Sequence, residues 1–226
     1  MNLSKIAGDR PYASLFKDAI RRTRGNRCDA PSWNGPTGSQ YFGEAKTRLD
    51  TAVGTLLGSL AIPEIAGQCI SVNAEYGEAL SKAYGHRMHV TVGAMWVGRC
   101  FAQRSDPLFY IRHLRNPSHG YGAVEMHAWL TTDALEILDL TYRTTVAVAR
   151  NDSSLIRKAS LHPADQLKHG PTSFWYLPIF VGEDYLAKAR LALPAGYQAR
   201  KWPSGIQERA QAFADRMILF SRPPHC

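Results

Sequence analysis

The chain holds four cysteines, Cys28, Cys69, Cys100 and Cys226, and one of them falls where a thiol gains reactivity. Over residues 67–84 the side chains of Cys69, Val72, Tyr76, Leu80 and Ala83 recur at steps of three and four, so they share one helical face, and Gly85 follows as a C-terminal cap. Cys69 then stands in the first turn of a helix. Unpaired N–H groups and the positive end of the helix dipole favour the thiolate there, the form in which sulfur attacks. Cys28 and Cys100 read as inert thiols.

A sulfur nucleophile needs a base, and a hairpin supplies one. Residues 125–131 and 135–141 are rich in β-formers and flank a short polar break. A turn centred on Asp133 sets His127 opposite Asp139, with Ile137 opposite Trp129 and Leu135 opposite Thr131. Directly opposed residues have Cβ atoms about 4.5 to 5.5 Å apart, close enough for a carboxylate to accept a hydrogen bond from one imidazole nitrogen and leave the other to a thiol. That is the logic of nucleophile, base and orienting group. The oxyanion of acyl transfer requires preorganised donors; the backbone N–H of Cys69 is the first candidate and the Gln68 side chain the second. Trp129, two residues from His127, is a core residue that also offers a wall to a substrate groove.

The segments GQCISVNAEYGEALSKAYGHRMHVTVGAMWV and HAWLTTDALEILDLT together resemble the transglutaminase-like branch of the papain-like cysteine enzymes. The likeness lies in a G-x-C at a helix start, a helix ending in Gly before a strand, an H-A-W strand and a D-x-T strand, over residues 65–142. It implies an α+β fold with the nucleophile helix packed on an antiparallel sheet. It also implies Cys69 as nucleophile, His127 as base and then acid, and Asp139 as orienter. The activity implied is amide hydrolysis or acyl transfer on a peptide or protein through an acyl-thioester: protease, deamidase or transglutaminase chemistry. No cofactor is implied. The sequence departs from the family at Leu140, where proline is usual, and in the length of residues 98–123.

Other residues read more plainly. His86 and His89, three apart on a strand spanning 86–97, point to opposite faces and do not share a metal. His113 and His119 fall in a long loop over 104–122 with a short ordered piece at 108–114, and read as solvated. Asn73, one turn after Cys69, is within reach of the site but reads as a solvated helical residue. Gly54 and Gly58 suggest close helix packing. Asn151-Asp152-Ser153 matches a glycosylation acceptor, taken as fortuitous. Neither a GxxxxGK[ST] loop nor a GxGxxG occurs, so nucleotide-driven chemistry is not indicated.

The supporting elements follow from periodicity. Tyr12, Leu15, Phe16, Ala19 and Ile20 mark an amphipathic helix over 11–24, residues 26–41 form a loop, and a second helix covers 44–60. A further strand is expected at 144–149, and helices at 183–193 and 206–220 beyond the apolar piece FWYLPIF. At 226 residues with 45% hydrophobic and 20% charged side chains, the composition excludes disordered, collagenous and coiled-coil classes. One domain over 1–226 is expected. Scattered cysteines and the lack of an apolar leader or of about 18 consecutive apolar residues point to the cytoplasm, with export lacking a cleaved signal left open. The net charge of +8 leaves room for an acidic protein partner, although a solvated basic surface is the plainer reading of it. Nucleic acid is disfavoured, because aromatic residues do not interleave with the basic run Arg21 to Arg27. A second reading is a papain-like binding module without turnover, docking through that basic surface onto nucleic acid or an acidic protein.

Overall fold

A computed structural model describes residues 10–39, 41–97, 100–101, 106–117, 126–163 and 174–191. Helices α1 (Tyr12–Gly25), α2 (Gly43–Ser59), α3 (Ile62–Ile65) and α4 (Cys69–Tyr84) precede strands β1 (Met88–Val97) and β2 (Cys100–Phe101). Then follow α5 (Pro107–Arg115), β3 (His127–Thr132), β4 (Ile137–Asp139), α6 (Tyr142–Arg150) and a 3-10 turn (Ser153–Leu155). Strands β5 (Ser160–His162) and β6 (Phe174–Val181) and helix α7 (Glu183–Lys188) complete the described chain. The fold class is α+β, as expected. The expected helix at 206–220, together with His119 and Cys226, lies outside the described residues.

The strands form one antiparallel sheet in which β1 pairs with β2, β3 and β6, and β4 joins β3 to β5. The run H-V-T-V-G-A-M within β1 is buried on both faces, which requires cover on both sides. Val90, Val92, Ala94, Ala128 and Leu130 pack under α4 and α2, whereas Met95, Trp129, Ile137 and Tyr176 pack under α1. The α1 stripe is the one its spacing predicts, with Tyr12, Leu15, Phe16, Ala19 and Ile20 all buried. Helix α4 stops where expected, at Gly85 with φ +80°, the left-handed conformation that glycine adopts freely.

Three expectations need correction. Residues 144–149 are not a strand but lie within α6, despite the β-branched Thr144, Thr145, Val146 and Val148. The Asp139 carboxylate accepts the N–H groups of Thr141 (3.1 Å) and Tyr142 (3.0 Å) at the helix entrance, and Tyr142 and Val146, four apart, bury on one side; capping and burial override β propensity. The hairpin turn centres on Ala134, not Asp133: Leu135 takes φ +64° and Thr132 N donates to Glu136 O at 2.9 Å, a three-residue loop closed by a left-handed residue. The register is therefore Leu130 opposite Leu138 and Thr131 opposite Ile137. A shift of two residues preserves faces, so His127 and Asp139 stay on one side but meet diagonally. Thirdly, Gly54 and Gly58 face open space and allow no close packing.

FWYLPIF becomes β6, and Pro178 is tolerated because among the described residues that strand pairs with β1 alone and the register shifts at Val92/Gly93. A Cβ on Gly93 would lie 2.0 Å from the Leu177 carbonyl oxygen and 2.9 Å from the Trp129 ring. Gly93→Ala is expected to destabilise the protein by about 3 kcal/mol or more in urea unfolding, since backbone must move. Gly54→Ala, on an open helix surface, is expected to be neutral or to stabilise by up to about 1 kcal/mol.

No helix among the described residues is long and apolar enough to cross a membrane.

Candidate active site

Helix α4 delivers Cys69. Ahead of it the chain turns through Gly67 at φ +72°, whose N–H donates to Thr145 Oγ1 of α6 at 2.9 Å, so the helix entrance is tied to the layer beyond β4. Gln68 takes the N-cap position and Cys69 is the first helical residue, both half-buried. The first N–H groups of an α-helix have no intrahelical acceptor, so the turn that carries Cys69 presents donors where an oxyanion would form. The Cys69 Sγ lies 3.8 Å from the carbonyl oxygen of Met126, the residue before His127.

Strand β3 begins with His127, and its Nε2 lies 2.6 Å from Asp139 Oδ2 at the end of β4. The pair is secluded, His127 being 4% exposed and Asp139 0%. With Nε2 committed to the carboxylate, Nδ1 is the ring nitrogen left to serve a thiol, and Cys69 lies near enough to add to the rise of the imidazole's pKa. Asp139 is over-determined: Oδ1 accepts the Thr141 and Tyr142 N–H groups, and Oδ2 also accepts the Tyr176 hydroxyl at 3.1 Å. With the Thr141 hydroxyl also donating to Oδ1 at 3.5 Å, the carboxylate is held by five donors.

Electrostatics follow from these contacts. Burial alone would strip His127 of its proton, but the Asp139 charge and hydrogen bond, with a smaller contribution from Cys69, win and push the imidazole up to about 10. Burial alone would likewise raise Asp139, yet the His127 charge and the two backbone N–H groups hold it below the ordinary carboxylate range. Both directions favour a charged imidazolium beside an ionised carboxylate.

The aromatic surroundings fix the ring. Trp129 stacks near His127 with centroids 5.8 Å apart, Tyr176 lies 6.2 Å away, and Trp129 Nε1 donates to the Tyr12 hydroxyl at 3.0 Å. Trp129 is fully buried, so it backs His127 from within the core and walls no open groove. Tyr176 was not legible from spacing: it comes from β6, 37 residues from Asp139, and its strand pairs with β1. Asn73, which its spacing one turn after Cys69 did bring within reach of the site, is fully buried where a solvated residue was expected.

The remaining candidates separate from this centre. His86 lies outside β1 and packs edge-on against Tyr84, while His89 is buried and pairs with Asp133 at 2.8 Å. His113 sits on α5, buried against Phe109 and held neutral by desolvation, where a solvated loop was expected. Cys28 is buried, and burial and Asp184 push its thiol up. Among the described residues no group of three or more His, Cys, Asp and Glu is arranged to hold a metal ion. No family model matches the chain, nor does any curated protein or solved structure.

The pair leaves a pH signature on stability. A carboxylate held below its ordinary 3.8 stabilises the fold above that pH and ceases to as pH falls. An imidazole raised from 6.5 to about 10 stabilises fully below 6.5 and loses its effect as pH rises toward 10. The stability gap between wild type and Asp139→Asn, measured by urea unfolding, is therefore expected to be widest between pH 3.8 and 6.5 and to narrow on both sides.

Proposed function

We propose that the chain is a cysteine-dependent amide hydrolase or acyltransferase of the transglutaminase-like kind, acting on a peptide or protein through an acyl-thioester. The observation that supports it most is the buried 2.6 Å contact between His127 and Asp139 at the foot of the helix whose first residue is Cys69. A structural histidine needs a partner, but it does not need a thiol-bearing helix start beside it.

In this reading Asp139 fixes the His127 ring with Nδ1 toward Cys69 and stabilises the imidazolium. The Cys69 sulfur attacks the substrate carbonyl carbon, and the developing oxyanion is met by N–H donors of the first turn of α4, with Gln68 beside them. As the C–N bond breaks, His127 gives its proton to the departing nitrogen and the acyl group remains on sulfur. Water or an amine then attacks the thioester, losing a proton to His127, and Cys69 is released. Water yields hydrolysis or deamidation; an amine yields acyl transfer. The net charge of +8 favours a substrate protein with an acidic surface.

Iodoacetamide at pH 7 followed by peptide mass mapping tests the reading. Cys69 should react about tenfold or more faster than the buried Cys28, and His127→Ala should remove most of that advantage. Equal labelling of both would contradict it. Cys69→Ala should unfold at nearly the wild-type temperature, because a half-buried first-turn thiol contributes little to the core.

A further inference from the structure

Three residues on one side of α4, Cys69, Asn73 and Gly77, approach three alternate residues, Met126 just before β3 and then Ala128 and Leu130 within it. Cys69 Sγ meets the Met126 carbonyl (3.8 Å), Asn73 Nδ2 donates to the Ala128 carbonyl (3.1 Å), and a Cβ on Gly77 would lie 3.0 Å from the Leu130 side chain. The spacing is a physical match: four helical residues advance about 6.0 Å, and two strand residues about 6.8 Å. Helix and strand therefore run in the same direction and in step over two turns. The outer two contacts are a long thiol contact and an apolar packing contact. Neither resists sliding strongly.

Asn73 is different. Its Nδ2 also donates to the Cys69 carbonyl at 2.7 Å, so a single amide ties the backbone of the sulfur's own residue to the residue that follows His127. The side chain is fully buried and its Oδ1 has no hydrogen-bond partner. A buried amide oxygen left unsatisfied is destabilising by about 1–3 kcal/mol, so stability alone does not recommend an asparagine here. Leucine or alanine would carry no orphaned oxygen and would also favour the helix.

We infer that Asn73 is a positioning residue, a register lock that holds the first turn of α4 on β3 and so sets the separation of the Cys69 sulfur from the His127 ring. This rests on the cysteine-enzyme reading above. Sliding by even about 1 Å between nucleophile and base is enough to cost about a hundredfold in rate. The lock acts on geometry at one end of the helix, not on the core.

The experiment is the pH profile of Cys69 alkylation by iodoacetamide, from pH 5 to 9.5, in wild type, Asn73→Leu, Asn73→Ala and His127→Ala, with thermal unfolding of each. Wild type should show a reactive shoulder below pH 7 that His127→Ala abolishes. Both Asn73 variants should fold, should react about tenfold more slowly at pH 6, and should match wild type within about twofold at pH 9.5, where an unassisted thiol ionises. A shoulder retained in both folded variants overturns the lock while leaving the enzyme reading intact. Failure of both to fold also overturns it, making Asn73 a core residue. A wild type without a His127-dependent shoulder overturns the enzyme reading, and the lock with it.

Discussion

Removing the Asp139 carboxylate from water is the constraint around which the candidate site is built. An ion that loses its hydration in a protein interior suffers a penalty of several kcal/mol unless close partners replace the water. Here the replacements are the His127 imidazole, the Thr141 and Tyr142 N–H groups and the Tyr176 hydroxyl. They come from three places: the first residue of β3, the capped entrance of α6, which supplies both N–H groups, and β6. The carboxylate therefore serves at once as partner of the imidazole, helix cap and tie between strands.

That arrangement depends in turn on β1, the hub strand. β3 and β6 lie on its two edges, and the register shift beside Gly93 lets Tyr176 reach toward Asp139 while the Trp129 ring passes over the glycine. One face of the sheet receives α4 with its sulfur, and the other is closed by α1, whose Tyr12 hydroxyl meets both Trp129 Nε1 and Thr131 Oγ1. Polar groups on the closed face are thus satisfied in pairs, which keeps the His127 ring in a dry and rigid setting.

What the sequence made legible was local. The stripes of α1 and α4, the left-handed Gly85 and the sidedness of His127 and Asp139 all follow from spacings of two, three or four residues. What it concealed depends on distant partners. The turn at Leu135 is settled by burying that side chain and by Glu136, which accepts from Tyr84 and from Ser39, contacts spanning 52 and 97 residues. Helix α6 forms against its β-branched composition because Asp139 caps it, and Asn73 is buried because β3 happens to run in step with α4. Tyr176 had no local signal at all.

The central claim is that Asp139 keeps His127 charged inside the protein, and side-chain NMR reads that charge directly. Long-range proton–nitrogen correlations of the histidine rings, followed from pH 5 to 9, should show both His127 nitrogens protonated through pH 8 in wild type, consistent with an imidazole pushed up to about 10. In Asp139→Asn, with desolvation opposed only by the smaller Cys69 contribution, the same ring should be neutral over most of that range. A wild-type ring that titrates near the ordinary 6.5 would contradict the account.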